Sequence, residues 1–122
     1  MDERRKETRK KLMAFTPVYD LHRGAILGYL GDLTMQGAMV IGEHPIDIDS
    51  RLTLVIQFPG ELEGIAVQRM TIPARVARCV PDEGPQSHKI GFEFTEMDPE
   101  HAKMIQALLD RYHFRHQDIV TD

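Results

Sequence analysis

From residue 12 to residue 95 the chain reads as strand-like segments that follow one another between turn residues, and a helical pattern begins only after the last of them. This order constrains the fold most. Six or seven short strands closed by one terminal helix predict a small antiparallel barrel or sandwich, and the pattern alone does not choose between the two. The segments cover residues 12–20, 25–33, 38–41, 51–58, 65–72, 74–80 and 88–95. Leu52, Leu54 and Ile56 alternate along one, and Ile90, Phe92 and Phe94 along another, as in strands with one buried face. His22-Arg23-Gly24, residues 34–37, the Pro45 loop at 42–50, Pro59-Gly60 and residues 81–87 supply the breaks. Pro73 separates two segments, because it lacks the N–H that a central strand uses. Gly28 and Gly31, inside the second segment, predict a bulge or a close backbone approach.

The helix announces itself at both levels of pattern. Asp98 suits the N-cap, Pro99 the first helical position, and Glu100 complements the dipole of the first turn. Ile105, Leu108, Leu109 and Tyr112 fall at i, i+3, i+4 and i+7, one apolar face for packing on the sheet. The helix is expected over about residues 98–113. A chain of 122 residues fits one domain. Its expected parts are a basic flexible arm at 1–11, a barrel with its helix at 12–115, and a disordered tail at 116–122.

Charge divides unevenly. Residues 1–11 carry six Lys/Arg against three acids, net +3, and the rest carry nine against sixteen, net −7. A basic arm on an acidic body predicts a locally bound anion rather than a broad DNA- or RNA-binding face. No apolar run approaches the roughly 20 residues that span a bilayer, so membrane insertion is not expected. The charged N-terminus is not a secretory signal, and the single Cys79 forms no internal disulfide; both point to the cytoplasm.

Two motifs concentrate the chemistry. Arg4-Arg5-Lys6-Glu7-Thr8-Arg9 contains R-x-x-x-R at Arg5 and Arg9, and residues 32–37 read D-x-T-x-x-G through Asp32, Thr34 and Gly37. Arginine forks match phosphate oxygens and the O6/N7 edge of guanine. A carboxylate accepts from guanine N1–H and N2–H₂, and a hydroxyl adds a contact. Gly37 permits a left-handed turn, or room for a ligand against the backbone. In the alternative, Asp32 and Thr34 only organise a turn through side-chain-to-backbone hydrogen bonds, and Gly37 is an ordinary turn glycine.

In this order and spacing, on a β-rich chain of this length, the motifs resemble the PilZ domain, a bacterial receptor module for cyclic di-GMP. The resemblance covers roughly residues 3–113, including Ile90-Gly91-Phe92-Glu93-Phe94 and the helix start Asp98-Pro99-Glu100. It implies a six-stranded antiparallel β-barrel with an accessory C-terminal α-helix. It assigns Arg5 and Arg9 to a guanine and phosphate clamp, Asp32 and Thr34 to base contacts, and Gly37 to the turn. Arg4 joins such sites in similar proteins, where it favours a stacked ligand pair. Arg78, on a late strand, is a further candidate for stacking on a base. Thr34 departs from the family's commoner Ser; the hydroxyl is kept and a methyl is added.

Other clusters carry less. His113 and His116 lack a third metal ligand. Asp47-Ile48-Asp49-Ser50 opens like a calcium loop but lacks its glycine and terminal Glu. Cys79 and the methionines read as packing. No nucleophile–base pair or paired-carboxylate signature is present, so an enzyme is not expected, nor a cofactor beyond the ligand. The expected role is a receptor whose arm folds over cyclic di-GMP and signals to a separate protein effector. A homodimer is compatible with it. The alternatives are an adaptor of the same fold that binds little nucleotide, and a nucleic-acid binder using the arm.

Overall fold

The computed structural model describes residues 11–12, 16–58, 69–84 and 86–113. Its elements are β1 (Lys11–Leu12), β2 (Pro17–Asp20), β3 (Ala25–Leu33), β4 (Gly37–Gly42), β5 (Arg51–Gln57), β6 (Arg69–Pro81), β7 (His88–Phe94), α1 (Pro99–Arg111) and β8 (Tyr112–His113). Six strands close into an antiparallel barrel in the order β2-β3-β4-β7-β6-β5. The barrel and its one described helix match the expected fold class.

Alternation builds the core. Val18, Val40, Leu54, Ile56, Ile72, Val76 and Ile90 point inward and are wholly inaccessible. Burying each such side chain is worth about 1.5–3 kcal/mol. Ile105 and Leu108 of α1 join the same cluster, with Leu109 packed partly against it. Asp98 caps the helix as expected: its carboxylate accepts from His101 N–H at 2.9 Å, and Pro99 follows. The box closes through a histidine, with Asp98 N–H donating to His101 Nδ1 at 3.3 Å.

Three expectations need correction. First, the segment expected as one strand over 12–20 is split. β1 pairs in parallel with β8, Lys11 opposite Tyr112 and Leu12 opposite His113, while β2 belongs to the barrel. Second, Pro73 does not divide β6, which runs unbroken from Arg69 to Pro81. Its carbonyl accepts from Thr95 N–H at 3.0 Å, just past the end of β7. In an antiparallel strand a residue's N–H and C=O face the same neighbour, so the missing donor falls where β7 has already ended. Third, Tyr112 does not continue the helical face. It is the C-cap, extended at φ −130° and ψ 151°, although its side chain still packs on the core.

The bulges matter most for the site. Leu30 pairs with Val40, but Asp32, not Gly31, pairs with Met39. Gly31 is therefore the extra residue, and the alternation slips by one. Leu33 faces the core and Asp32 turns outward, although Leu30 and Asp32 share parity in the sequence. β6 repeats the device: Ala77 is extra between Val76 and Arg78, which turns Arg78 outward opposite Gly91. Gly28 fulfils its expectation too. Its φ is +155°, and a Cβ there would lie 2.1 Å from the Ile41 carbonyl oxygen.

Candidate functional site

The two bulges place Asp32, Met39, Gly91 and Arg78 in one row across β3, β4, β7 and β6. The row Leu33, Ala38, Phe92 and Val76 next to it is buried. Beyond that, Gly37, Glu93 and Arg75 form the next outward row. Between these lies an open groove of about 430 Å³ lined by Asp32, Thr34, Gly37, Met39, Arg75 and Glu93, among others. The D-x-T-x-x-G residues thus come together on one outer face of the barrel. Arg78 shares the row of Asp32 but not the groove lining. Its stem lies over Gly91, where a Cβ would stand 3.2 Å from Arg78 Cγ.

The turn between β3 and β4 explains part of the motif by itself. Thr34 N–H donates to the Gly37 carbonyl at 2.9 Å. The Thr34 hydroxyl accepts from Gln36 N–H and Gly37 N–H, each at 3.1 Å. Asp32 Oδ1 accepts from Leu33 N–H at 2.8 Å. The turn-organising role of these side chains is real, and it also fixes the exposed Thr34 hydroxyl beside the groove. Gly37 has no left-handed backbone, since the described positive-φ glycines are Gly24 and Gly28. It is glycine for a different reason: a Cβ would lie 2.1 Å from the Phe92 carbonyl oxygen of β7. The room it makes is for the neighbouring strand.

Arg75 and Glu93 are the groove residues that the sequence reading missed. Arg75 Nη1 lies 2.7 Å from Asp49 Oδ1, and Nη2 is paired with Glu93 Oε1. The hydrogen bonds that Arg75 donates, to Glu93 first and Asp49 second, hold the guanidinium above its ordinary range. Asp49 belongs to the 47–50 turn, closed by Ser50 N–H on the Asp47 carbonyl at 3.1 Å. Its φ is +74°, at a turn position that Gly or Asn ordinarily fills. Strand alternation would have put Arg75 outside, between inward Ala74 and Val76. Its company on β7 depends on a non-sequential strand order that no local pattern carries.

Among the described lining residues, Asp32 and Glu93 oppose a single cation, Arg75. A dianionic ligand needs more positive charge than that. The arginines singled out for it, Arg4, Arg5 and Arg9, lie outside the described residues, as does the side chain of His113 and all of His116. Among the described residues no three His, Cys, Asp or Glu side chains gather as a metal site.

Comparison with known proteins puts this geometry in context. The model of a family described as the PilZ domain matches residues 3–111. No curated protein matches the chain. Among solved structures, a PilZ domain with c-di-GMP of YcgR from Escherichia coli is similar at TM-score 0.55 and 16% identity, over 77% of this chain and 77% of that one. The Bacillus subtilis inhibitor of motility, MotI/DgrA, is similar at TM-score 0.64 and 17% identity. That match covers 85% of this chain and 49% of MotI, so the chain spans about half of MotI's length. At these identities the likeness to both structures is one of fold.

Proposed function

The chain belongs to the PilZ domain family, and on that premise we propose that it is a cyclic di-GMP receptor rather than an enzyme. The observation that carries the reading is the convergence of Asp32, Thr34 and Gly37 with Arg75 on one outer groove, on a chain whose family match begins at residue 3 and so includes Arg4, Arg5 and Arg9. The YcgR structure, which contains the same dinucleotide on the same fold, supports it.

The proposed division of labour follows from the chemistry. The arm's Arg5 and Arg9 supply the forks for phosphate and the guanine O6/N7 edge, with Arg4 beside them. Asp32, turned outward by the Gly31 bulge, accepts from guanine N1–H and N2–H₂. Thr34 presents its hydroxyl from a turn already organised around it. Arg78, three strands along the row from Asp32 with Met39 and Gly91 between, offers a guanidinium for stacking. Ordering the arm costs conformational entropy that charged hydrogen bonds and stacking offset. The ordered arm and groove then form a new surface for a separate protein effector, in the cytoplasm. No described helix is long and apolar enough to cross a membrane.

A second reading, an adaptor that binds little nucleotide, draws on one observation. Thr34 and Asp32 already serve the backbone, and the described groove is net negative. Calorimetric titration with cyclic di-GMP decides between them. Saturable binding lost in Arg5→Ala supports the receptor; no heat of binding in the intact chain supports the adaptor.

A further inference from the structure

We propose that Arg75 couples the groove to the 43–50 loop: an anionic ligand in the groove draws Arg75 away from Asp49, and the loop so released is a surface that changes on binding. This rests on the cyclic di-GMP reading above and concerns how the same site signals.

The groove and the loop meet at one side chain. Arg75 lines the groove, and its two terminal nitrogens are divided between Glu93 and Asp49. Glu93 is also in the groove lining; Asp49 is not. A phosphate entering the groove meets Arg75 as the sole cation among the described lining residues. It also meets Glu93, whose charge repels it unless Arg75 stays close. Arg75 therefore keeps Glu93 and exchanges Asp49 for the ligand. A guanidinium holding one carboxylate through each nitrogen can give up one without being left unpaired.

The loop is built to respond. Asp49 has φ +74°, a backbone state that costs a residue with a Cβ free energy unless its surroundings hold it there. Three things hold it: Asp49 N–H on the Val76 carbonyl at 2.8 Å, Val76 N–H on the Ser50 carbonyl at 2.9 Å, and the carboxylate on Arg75. Removing the third loosens a turn that carries Ile48, 51% exposed, at its tip. Ligand binding and loop release are then thermodynamically linked, and the linkage runs in both directions.

Asp49→Asn tests this, because Asn tolerates the left-handed backbone and only the charge is lost. Glu100→Gln, on the first turn of α1, removes an equal charge outside the groove and serves as control. In the wild-type chain, cyclic di-GMP should speed amide exchange across residues 43–50. In Asp49→Asn those amides should exchange fast without ligand and change little with it. Its affinity should rise about two- to fivefold, the range of a released surface ion pair, while Glu100→Gln stays at the wild-type value. Saturating binding with unaltered loop exchange, or equal affinity gains in the two variants, overturns the coupling and leaves the receptor standing. If the wild-type chain binds no cyclic di-GMP, both are overturned.

Discussion

His101 spans from the first turn of α1 to β6, its Nε2 lying 2.9 Å from the Thr71 carbonyl oxygen while its Nδ1 accepts the Asp98 N–H. One ring closes the helix cap and docks the helix on the barrel. The Nε2–H tautomer satisfies both partners. His101→Ala should lower the free energy of unfolding by about 1–2 kcal/mol, with cyclic di-GMP affinity unchanged. Urea denaturation measures it. A change within about 0.5 kcal/mol, as at an uninvolved surface position, would mean that the bridge contributes nothing.

Gly37 belongs to the fold before it belongs to any ligand. Gly37→Ala forces β4 and β7 apart around the Phe92 carbonyl, and should destabilise the protein by about 1–3 kcal/mol even without ligand. Thermal unfolding of the free protein reads this directly. An unchanged midpoint would return Gly37 to a role at the ligand alone.

Thr34 has two tasks that substitutions separate. Thr34→Ser keeps the hydroxyl, so stability and affinity should both hold, with affinity equal or slightly better for want of the methyl. Thr34→Val removes the acceptor for Gln36 N–H and Gly37 N–H and should cost about 0.5–1.5 kcal/mol of stability, together with a loss of affinity. If Val loses stability but binds as well as Ser, the hydroxyl serves only the turn.

Arg5→Ala and Arg9→Ala should each weaken cyclic di-GMP binding by about 1.5–3 kcal/mol, the value of a charge-assisted contact. Circular dichroism should show the barrel unaltered. Wild-type affinity in both variants would remove these arginines from the site.

Selectivity should follow Asp32. Adenine carries an N6–H₂ donor where guanine has the O6 acceptor, and lacks the N1–H and N2–H₂ donors that a carboxylate reads. Cyclic di-AMP should therefore bind far more weakly, and Asp32→Asn should narrow the gap between the two. Equal affinities in the wild-type protein would leave phosphate recognition as the only contact that matters.

The strands were legible where alternation ran undisturbed, as at Leu52, Leu54 and Ile56. So was the helix start, where Asp98 and Pro99 act at the positions expected of them. What local pattern hid has physical causes. Leu30 and Asp32 share parity, and only a one-residue slip at Gly31, flagged by the glycine but not its direction, sends the aspartate outward. Pro73 reads as a break because its missing donor is a local fact, while the early end of β7 that makes it harmless is not. Arg75 has no motif around it. Its significance comes from Glu93 and Asp49, eighteen and twenty-six residues away.

Closure of the barrel limits how any effector can read this protein. Every barrel strand already has a hydrogen-bonded neighbour on each side, and among the described residues only the two-residue pair of β1 and β8 lies outside that ring. Among the described residues a partner strand finds an edge without a second strand only where one strand outruns its neighbour, as β6 does beyond Arg75 on its β5 side. Elsewhere on the barrel, recognition runs through side chains and loops. On those faces a change of state is legible to an effector as a change in which side chains are displayed, and a peptide partner selected against them should contribute its own side chains rather than its backbone.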